Sequence, residues 1–284
     1  MGSTLRIMSL KQLMVNGIQM GAVTYGKPQH PPLVLLHGFT GSALAWHSLF
    51  GPLSAYNVYL IALDMLGHGQ SDAPADLERY NIEHAQEDIL AALYQLGVQK
   101  GQAILLGYSM GGRIALYSAF SGFFRALILE STSPGLADAH TRAQRVASDR
   151  VLADRIEREG VPAFVEYWEQ QPLFEGLQRL PDAEHEELHK QRLDNRAIGL
   201  ANSLRGVGTG AQPSLYERLP SLDIPTLLLT GEHDPKFCAI AREMQHQLPH
   251  ATWDVVAGAG HTIHLEQPER FVALVGQFCA QMLS

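Results

Sequence analysis

The segment Gly107-Tyr108-Ser109-Met110-Gly111 sets a serine at G-x-S-x-G spacing, between the apolar run Ala103–Leu106 and a helical pattern over Gly111–Phe120. A strand, a sharp turn and a helix in that order lift a serine hydroxyl to a helix N-terminus, where backbone N–H groups stabilise negative charge. The hydroxyl gains reactivity only with a proton acceptor beside it, and that acceptor needs an orienting acid. For this kind of turn the chain order is serine, acid, histidine. The run PTLLLT followed by GEHDPKF offers Asp234, and TWDVV followed by AGAGHTIHLEQP offers His261. Both lie just past strand ends, on the same sheet edge as Ser109. An ordinary glycine-rich strand–helix turn explains the serine alone; three residues in the right order and slots are far more specific.

Competitors exist for each role. Glu130 also ends an apolar run and is an alternative acid, and His264 is an alternative base. The Gly258-Ala259-Gly260 turn favours His261, because it projects the next side chain into a cleft; His264 is expected to brace the loop or the following helix. His233 reads as a loop residue. The pair in H-T-I-H has no further ligands clustered near it, so no metal is expected. Negative charge at the reacting centre needs two N–H donors: Met110, directly after the serine, and Phe39 in the loop HGFTG. The loop DMLGHGQSD, residues 64–72, is expected to brace the floor of the site, with His68 structural rather than catalytic.

Short apolar runs position these residues. Strands are expected at Leu33–Leu36, Val58–Leu63, Ala103–Leu106, Ala126–Glu130, Thr226–Thr230 and Trp253–Val256. Continuous runs suit strands buried on both faces of a parallel sheet. Gln12–Val15 and Ile18–Thr24 read as an edge hairpin across Asn16-Gly17. Helices alternate with the strands. In NIEHAQEDILAALYQLG, Ile89, Leu90, Leu93 and Leu96 make one apolar face and Gly97 fits a C-terminal stop; another helix starts at Pro268. The alternation predicts an α/β fold with a doubly wound, mostly parallel sheet. Residues 133–205 break the rhythm with charged helix-like segments and no convincing strand. They are expected to form a helical cap over the strand ends, with 1–132 and 206–284 as the core.

The 284 residues are 46% hydrophobic and 18% charged, a globular composition, and the net charge of −8 disfavours nucleic acid and anionic membrane as partners. No run approaches a membrane span, and the N-terminal MGSTLRIMSLKQLMV shows no signal peptide; Arg6 stands where myristoylation wants Ser or Thr. Cys238 and Cys279 are isolated, which fits a reducing, cytoplasmic location. No Walker sequence and no G-x-G-x-x-G opens a first strand–helix unit, so no nucleotide cofactor is expected. A monomer or weak homo-oligomer is expected.

Taken together, HGFTG, DMLGHGQSD, GYSMGG, GEHD and GAGH resemble the α/β-hydrolase superfamily along essentially the whole chain. That superfamily holds esterases, lipases, C–C hydrolases, dehalogenases, lyases and some receptors, so the fold alone does not settle function. GYSMGGRIAL, ESTSPGL, RAQRVASDRVLADRIE, WEQQPLF, QRLDNRAIGLANSLRGVGTGAQPSLYERL and DPKFCAIAREM narrow the resemblance to the 2-succinyl-6-hydroxy-2,4-cyclohexadiene-1-carboxylate synthases of menaquinone biosynthesis. The resemblance implies an elimination of pyruvate, with Ser109 as a base made basic by His261 and Asp234 as the orienting acid. It implies a small polycarboxylate substrate held by Arg113, Arg145 and Arg192, with Tyr108 and Trp168 as further pocket positions. Arginine suits the task because its planar fork binds a carboxylate bidentately. On residue pattern alone, arginines on a charged helix are more simply a solvated face; Arg142, Arg150 and Arg155 are read so. Two rivals stay open: a serine hydrolase with Ser109 as nucleophile, and a binding protein on a hydrolase scaffold.

Overall fold

The computed structural model describes residues 8–283; the residues before Met8, on which the expectations about a signal peptide and Arg6 rest, lie outside them. Eight strands form one sheet: β1 (Ser9–Val15), β2 (Ile18–Tyr25), β3 (Pro32–Leu36), β4 (Tyr59–Leu63), β5 (Ile104–Tyr108), β6 (Ala126–Glu130), β7 (Thr226–Gly231) and β8 (Ala251–Val256), in the spatial order 1-2-4-3-5-6-7-8. β1 and β2 pair antiparallel across Asn16 and Gly17, both at positive φ, the turn geometry that Asn-Gly supplies without strain. β2 meets β4 antiparallel, and β3 to β8 run parallel.

Every residue of β3, β4, β5 and β6 is buried. Alternate side chains explain why their sequences are continuous apolar runs. Leu33 and Leu35 enter the core on one face, with Trp46, Phe50 and Phe271; Val34 and Leu36 enter the core on the other, with Ile89, Leu93 and Ile114. Edge strand β8 is only half-buried.

Helices cover both faces: α1 (His47–Ser54), α2 (Ile82–Gln95), α3 (Met110–Ala119) and, after the stretch described next, α7 (Pro235–Gln247), α8 (Ile263–Glu266) and α9 (Pro268–Leu283). The α2 face closes as expected: Ile89 and Leu93 are fully buried, Leu90 and Leu96 pack partly against the same cluster, and Gly97 ends the helix at φ 82°.

Between β6 and β7 the described residues form helices and turns only: α4 (Ala139–Glu169), a 3-10 turn at Pro172–Arg179, α5 (Asp182–Leu193), α6 (Ala197–Val207) and a second 3-10 turn at Tyr216–Ser221. Asp138 caps α4 by accepting from Thr141 N, and α4 bends at Gly160, whose φ of 82° no helix accommodates. The charged run Glu184–Gly206 is helix-like in sequence, and its helix breaks at Asp194–Arg196. The break has a polar cause. Asn195 is buried and spends its amide Nδ2 on the carbonyls of Thr40 (2.8 Å) and Arg192 (3.0 Å), a side-chain alternative to helical bonding.

α6 lies against the loop that follows β4. A Cβ at Gly199 would sit 2.1 Å from Gly67 O, backbone against backbone. Gly199→Ala therefore forces the two segments apart and lowers stability by about 1–3 kcal/mol; a thermal melt checks this as a fall in Tm of several degrees, and an unchanged Tm refutes it.

Candidate active site

Ser109 follows β5 at φ 51° and ψ −107°, outside the regions L-residues favour. The glycines around it are obligatory. A Cβ at Gly107 would meet Gly111 O at 2.4 Å, and one at Gly111 would meet Leu36 O at 2.3 Å. Three hydrogen bonds to its backbone hold the strained residue: Ser109 N donates to Glu130 O (2.9 Å), while Ser109 O accepts from Arg113 N (3.1 Å) and from the Thr132 side chain through Oγ1 (3.0 Å). Strain held this way keeps a side chain in one place.

The Ser109 hydroxyl donates to His261 Nε2 at 3.1 Å, and His261 Nδ1–H donates to Asp234 Oδ2 at 2.7 Å. Asp234 must be the acceptor of that second bond, so Nδ1 carries the proton and Nε2 is left to accept. Asp234 Oδ1 accepts from Phe237 N at 3.3 Å, so one carboxylate caps α7 and orients the imidazole. Both side chains are buried, at 1% and 7% exposure for His261 and Asp234. The Phe237 ring, 4.6 Å from that of His261, adds an apolar wall that sequence reading missed.

The competitors find other partners. Glu130 takes His264, not His261, accepting from its N–H and its Nδ1. His233 is exposed. His68 is fully buried, its Nδ1 bonded to Leu66 O. Burial first, then the neighbouring His37, pushes the His68 pKa down to about 3, so it is neutral in the fold. An unfolded histidine titrates near 6.5. Below that value the unfolded chain binds a proton the fold excludes, so stability is full above about pH 6.5 and falls as pH drops toward 3, by about 1.4 kcal/mol per pH unit. Urea unfolding at about pH 7.5 and about pH 5 checks this: His68→Gln loses less stability between them than the parent, and equal losses refute it.

The loop that carries Phe39 is tied down by side-chain hydrogen bonds. His37 Nε2 accepts from Met65 N (3.0 Å), so its Nδ1–H donates to Gly38 O (2.8 Å). Asp64 accepts from Ala43 N (2.6 Å) and Gln70 N (2.9 Å), which ties residues 64–72 to this loop as the sequence suggests. Among the described residues no hydrogen bond uses the N–H of Phe39 or of Met110. Met110 opens α3, so its N–H is also at a helix N-terminus.

Arg113 stands one helical turn beyond Ser109. Its Nε donates to Gln212 Oε1 (3.0 Å) and its Nη2 to Val207 O (2.9 Å). Burial, with Arg145 nearby, lowers its pKa to about 10, so it stays cationic at neutral pH. Arg145 pairs with Asp149 at 2.8 Å and is 41% exposed. Arg192 is nearly enclosed, 3.0 Å from Glu169 and 5.1 Å over the Phe174 ring. It lines a small cavity with Phe39, Tyr108 and Thr262. Arg113 and Arg145 thus form one group and Arg192 stands apart from them.

Trp168 stacks on Phe164 and meets Phe39 (5.4 Å) and Phe174 (5.3 Å) edge-on or tilted; Phe174 lies 6.5 Å from His261. Tyr108 bonds Thr262 Oγ1 at 2.9 Å, and burial pushes its pKa up. Of the arginines read as solvated, Arg150 is exposed. Arg142 and Arg155 are half-buried: Arg142 donates to the carbonyls of Leu136 and Ala137, and Arg155 pairs with Glu159 and covers Tyr167. Gln212, Glu169 and Phe174 were not legible as site residues, although Asp149 stands at an i,i+4 position to Arg145 that a helical reading supplies.

A serine on a strand–helix turn, with histidine and aspartate from later strand ends and helices on both faces of a parallel sheet, defines an α/β-hydrolase; the chain belongs to the Alpha/beta hydrolase family, whose pattern matches residues 33–274. Two relatives sharpen the placement. A Bacillus subtilis (strain 168) protein, provisionally named 2-succinyl-6-hydroxy-2,4-cyclohexadiene-1-carboxylate synthase, is 44% identical over 265 residues, 93% of this chain and 95% of that one. A protein of that name from Enterobacter sp. (strain 638) is 35% identical, covering 90% of this chain and 95% of its own. Among solved structures, MenH from S. aureus superposes with a TM-score of 0.87 at 32% identity, over 93% of this chain and 99% of that one.

Proposed function

We propose that this chain is a 2-succinyl-6-hydroxy-2,4-cyclohexadiene-1-carboxylate synthase, a carbon–oxygen lyase that expels pyruvate from 2-succinyl-5-enolpyruvyl-6-hydroxy-3-cyclohexene-1-carboxylate in menaquinone biosynthesis. The likeness to proteins of that name over nine-tenths of the chain supports the assignment. The geometric observation that carries it is the half-buried cation Arg113 one turn from Ser109, in a protein of net charge −8. An apolar ester has no use for that charge; a tricarboxylate does.

His261 holds the serine proton, and Ser109 removes the proton on the ring carbon next to the succinyl ketone. Negative charge then spreads to the ketone oxygen, facing the N–H groups of Phe39 and Met110. The C–H electrons form a ring double bond, the existing double bond shifts by one position, and the bond to the enolpyruvyl oxygen breaks. The abstracted proton leaves through Ser109 and His261, and protonation of the departing enolate gives pyruvate. Asp234 stabilises the imidazolium throughout. In this reading residues 133–205 are the cap, Arg145 and Arg192 bind further carboxylates, and Tyr108 and Trp168 line the pocket. The two free cysteines suit a cytoplasmic enzyme, and no helix among the described residues is long and apolar enough to cross a membrane. The protein acts as a monomer or weak homo-oligomer.

Growth of the conjugated-diene absorbance on mixing with substrate tests the proposal; absorbance that rises no faster than without protein refutes it. The aromatic wall of Phe39, Trp168 and Phe174 favours a second reading, a serine hydrolase using Ser109 as nucleophile on an aryl or alkyl ester.

A further inference from the structure

Glu130 and His264 form a buried carboxylate–imidazole pair that no step above uses. Glu130 is 0% and His264 2% exposed. His264 donates through its backbone N–H to Glu130 Oε1 at 3.0 Å, and through Nδ1–H to the carboxylate, whose two oxygens both lie at 2.9 Å. The same Glu130 accepts, with its backbone carbonyl, the N–H of Ser109. One residue therefore touches both the turn that carries the hydroxyl and the loop that carries the imidazole.

A second tie runs alongside. Tyr108, opposite Glu130 in the β5–β6 ladder, bonds through its hydroxyl to Thr262, the residue after His261. The His264 ring fills the space between the ties, 4.8 Å from Tyr108 and 4.6 Å from Trp46. His261 is thus followed by two anchors, one at the next position and one three residues on, both ending on the strand pair that supports Ser109.

We infer that Glu130 is a positioning residue. Through His264, and together with the Tyr108–Thr262 bond, it fixes the separation of Ser109 Oγ from His261 Nε2. Its side chain orients nothing directly, since both oxygens are committed to His264. Proton transfer between two heavy atoms is steep in distance, and a misplacement of about 1 Å costs about 100-fold in rate.

The inference rests on the proposed use of Ser109 and His261, but its test does not need the proposed substrate. Glu130→Ala and Glu130→Gln are compared by pyruvate release and by labelling with a fluorophosphonate, whose end point counts folded sites and whose rate reads Ser109 reactivity. Expected for Glu130→Ala is a kcat per labelled site about 100-fold lower, KM within about 3-fold, and a labelling rate reduced in the same proportion. Glu130→Gln keeps an oxygen for the His264 N–H and stays within about 10-fold of the parent. If Glu130→Ala does not fold, His264→Ala and His264→Asn carry the test: the Asn amide replaces Nδ1–H toward Glu130 and restores most of the rate lost in the Ala variant. Parental rates per labelled site in Glu130→Ala, with only a lower Tm, overturn the inference. A parent protein that labels rapidly yet releases no pyruvate refutes the substrate assignment, while the labelling rates of the variants still decide the role of Glu130.

Discussion

Ser109→Ala lowers kcat for pyruvate release by at least about 10³-fold, His261→Ala does so to a similar extent, and the double variant is scarcely worse than either. The non-additivity follows from the geometry. The 3.1 Å and 2.7 Å bonds run in series from Ser109 through His261 to Asp234. Removing the hydroxyl leaves the imidazole with no proton to accept, and removing the imidazole leaves a hydroxyl whose pKa forbids it to act as a base. Stability moves the other way. Ser109 sits at φ 51°, so Ser109→Gly relieves backbone strain of about 1–3 kcal/mol and raises Tm while abolishing activity. Steady-state kinetics of the three catalytic variants check the claim. Losses that multiply in the double variant would mean that the two residues act independently.

Arg113→Met lowers kcat/KM for the tricarboxylate by about 10²–10³-fold, mostly through KM, and leaves hydrolysis of a small neutral ester within a few-fold. A hydrogen bond to a charged group contributes about 1.5–3 kcal/mol, and a substrate carboxylate stripped of its partner in a buried site loses more. Arg113→Lys recovers only part, because a point charge cannot replace the fork that spans Gln212 Oε1 and Val207 O. Equal losses on tricarboxylate and neutral ester would show that Arg113 supports the fold of the site and binds no carboxylate.

The strands and the order of Ser109, Asp234 and His261 along them were legible because each rests on a local signal: an apolar run, then a turn, then a polar residue. The partners were legible only through the Gly258-Ala259-Gly260 turn, which favours His261 over His264 as the partner of Asp234; that His264 meets Glu130 had no signal in the sequence. That depends on the path of residues 257–264, set by the Thr262 and His264 anchors. The break at Asp194–Arg196 escaped for a similar reason. Asn195 leaves the helical pattern to reach the Thr40 carbonyl, a contact 155 residues away in sequence. Gln212 lies in a Gly- and Pro-rich segment with no period to place it, yet it is 2% exposed and holds Arg113.

Pyruvate release from 2-succinyl-5-enolpyruvyl-6-hydroxy-3-cyclohexene-1-carboxylate, with p-nitrophenyl acetate hydrolysis measured in parallel on the same preparation and on Ser109→Ala, separates a lyase from a hydrolase. A lyase gives rapid pyruvate release, slow ester turnover, and loss of the former in the variant. Pyruvate no faster than the spontaneous decay of the substrate, beside brisk ester cleavage, would contradict the lyase assignment and make Ser109 the nucleophile of a hydrolase.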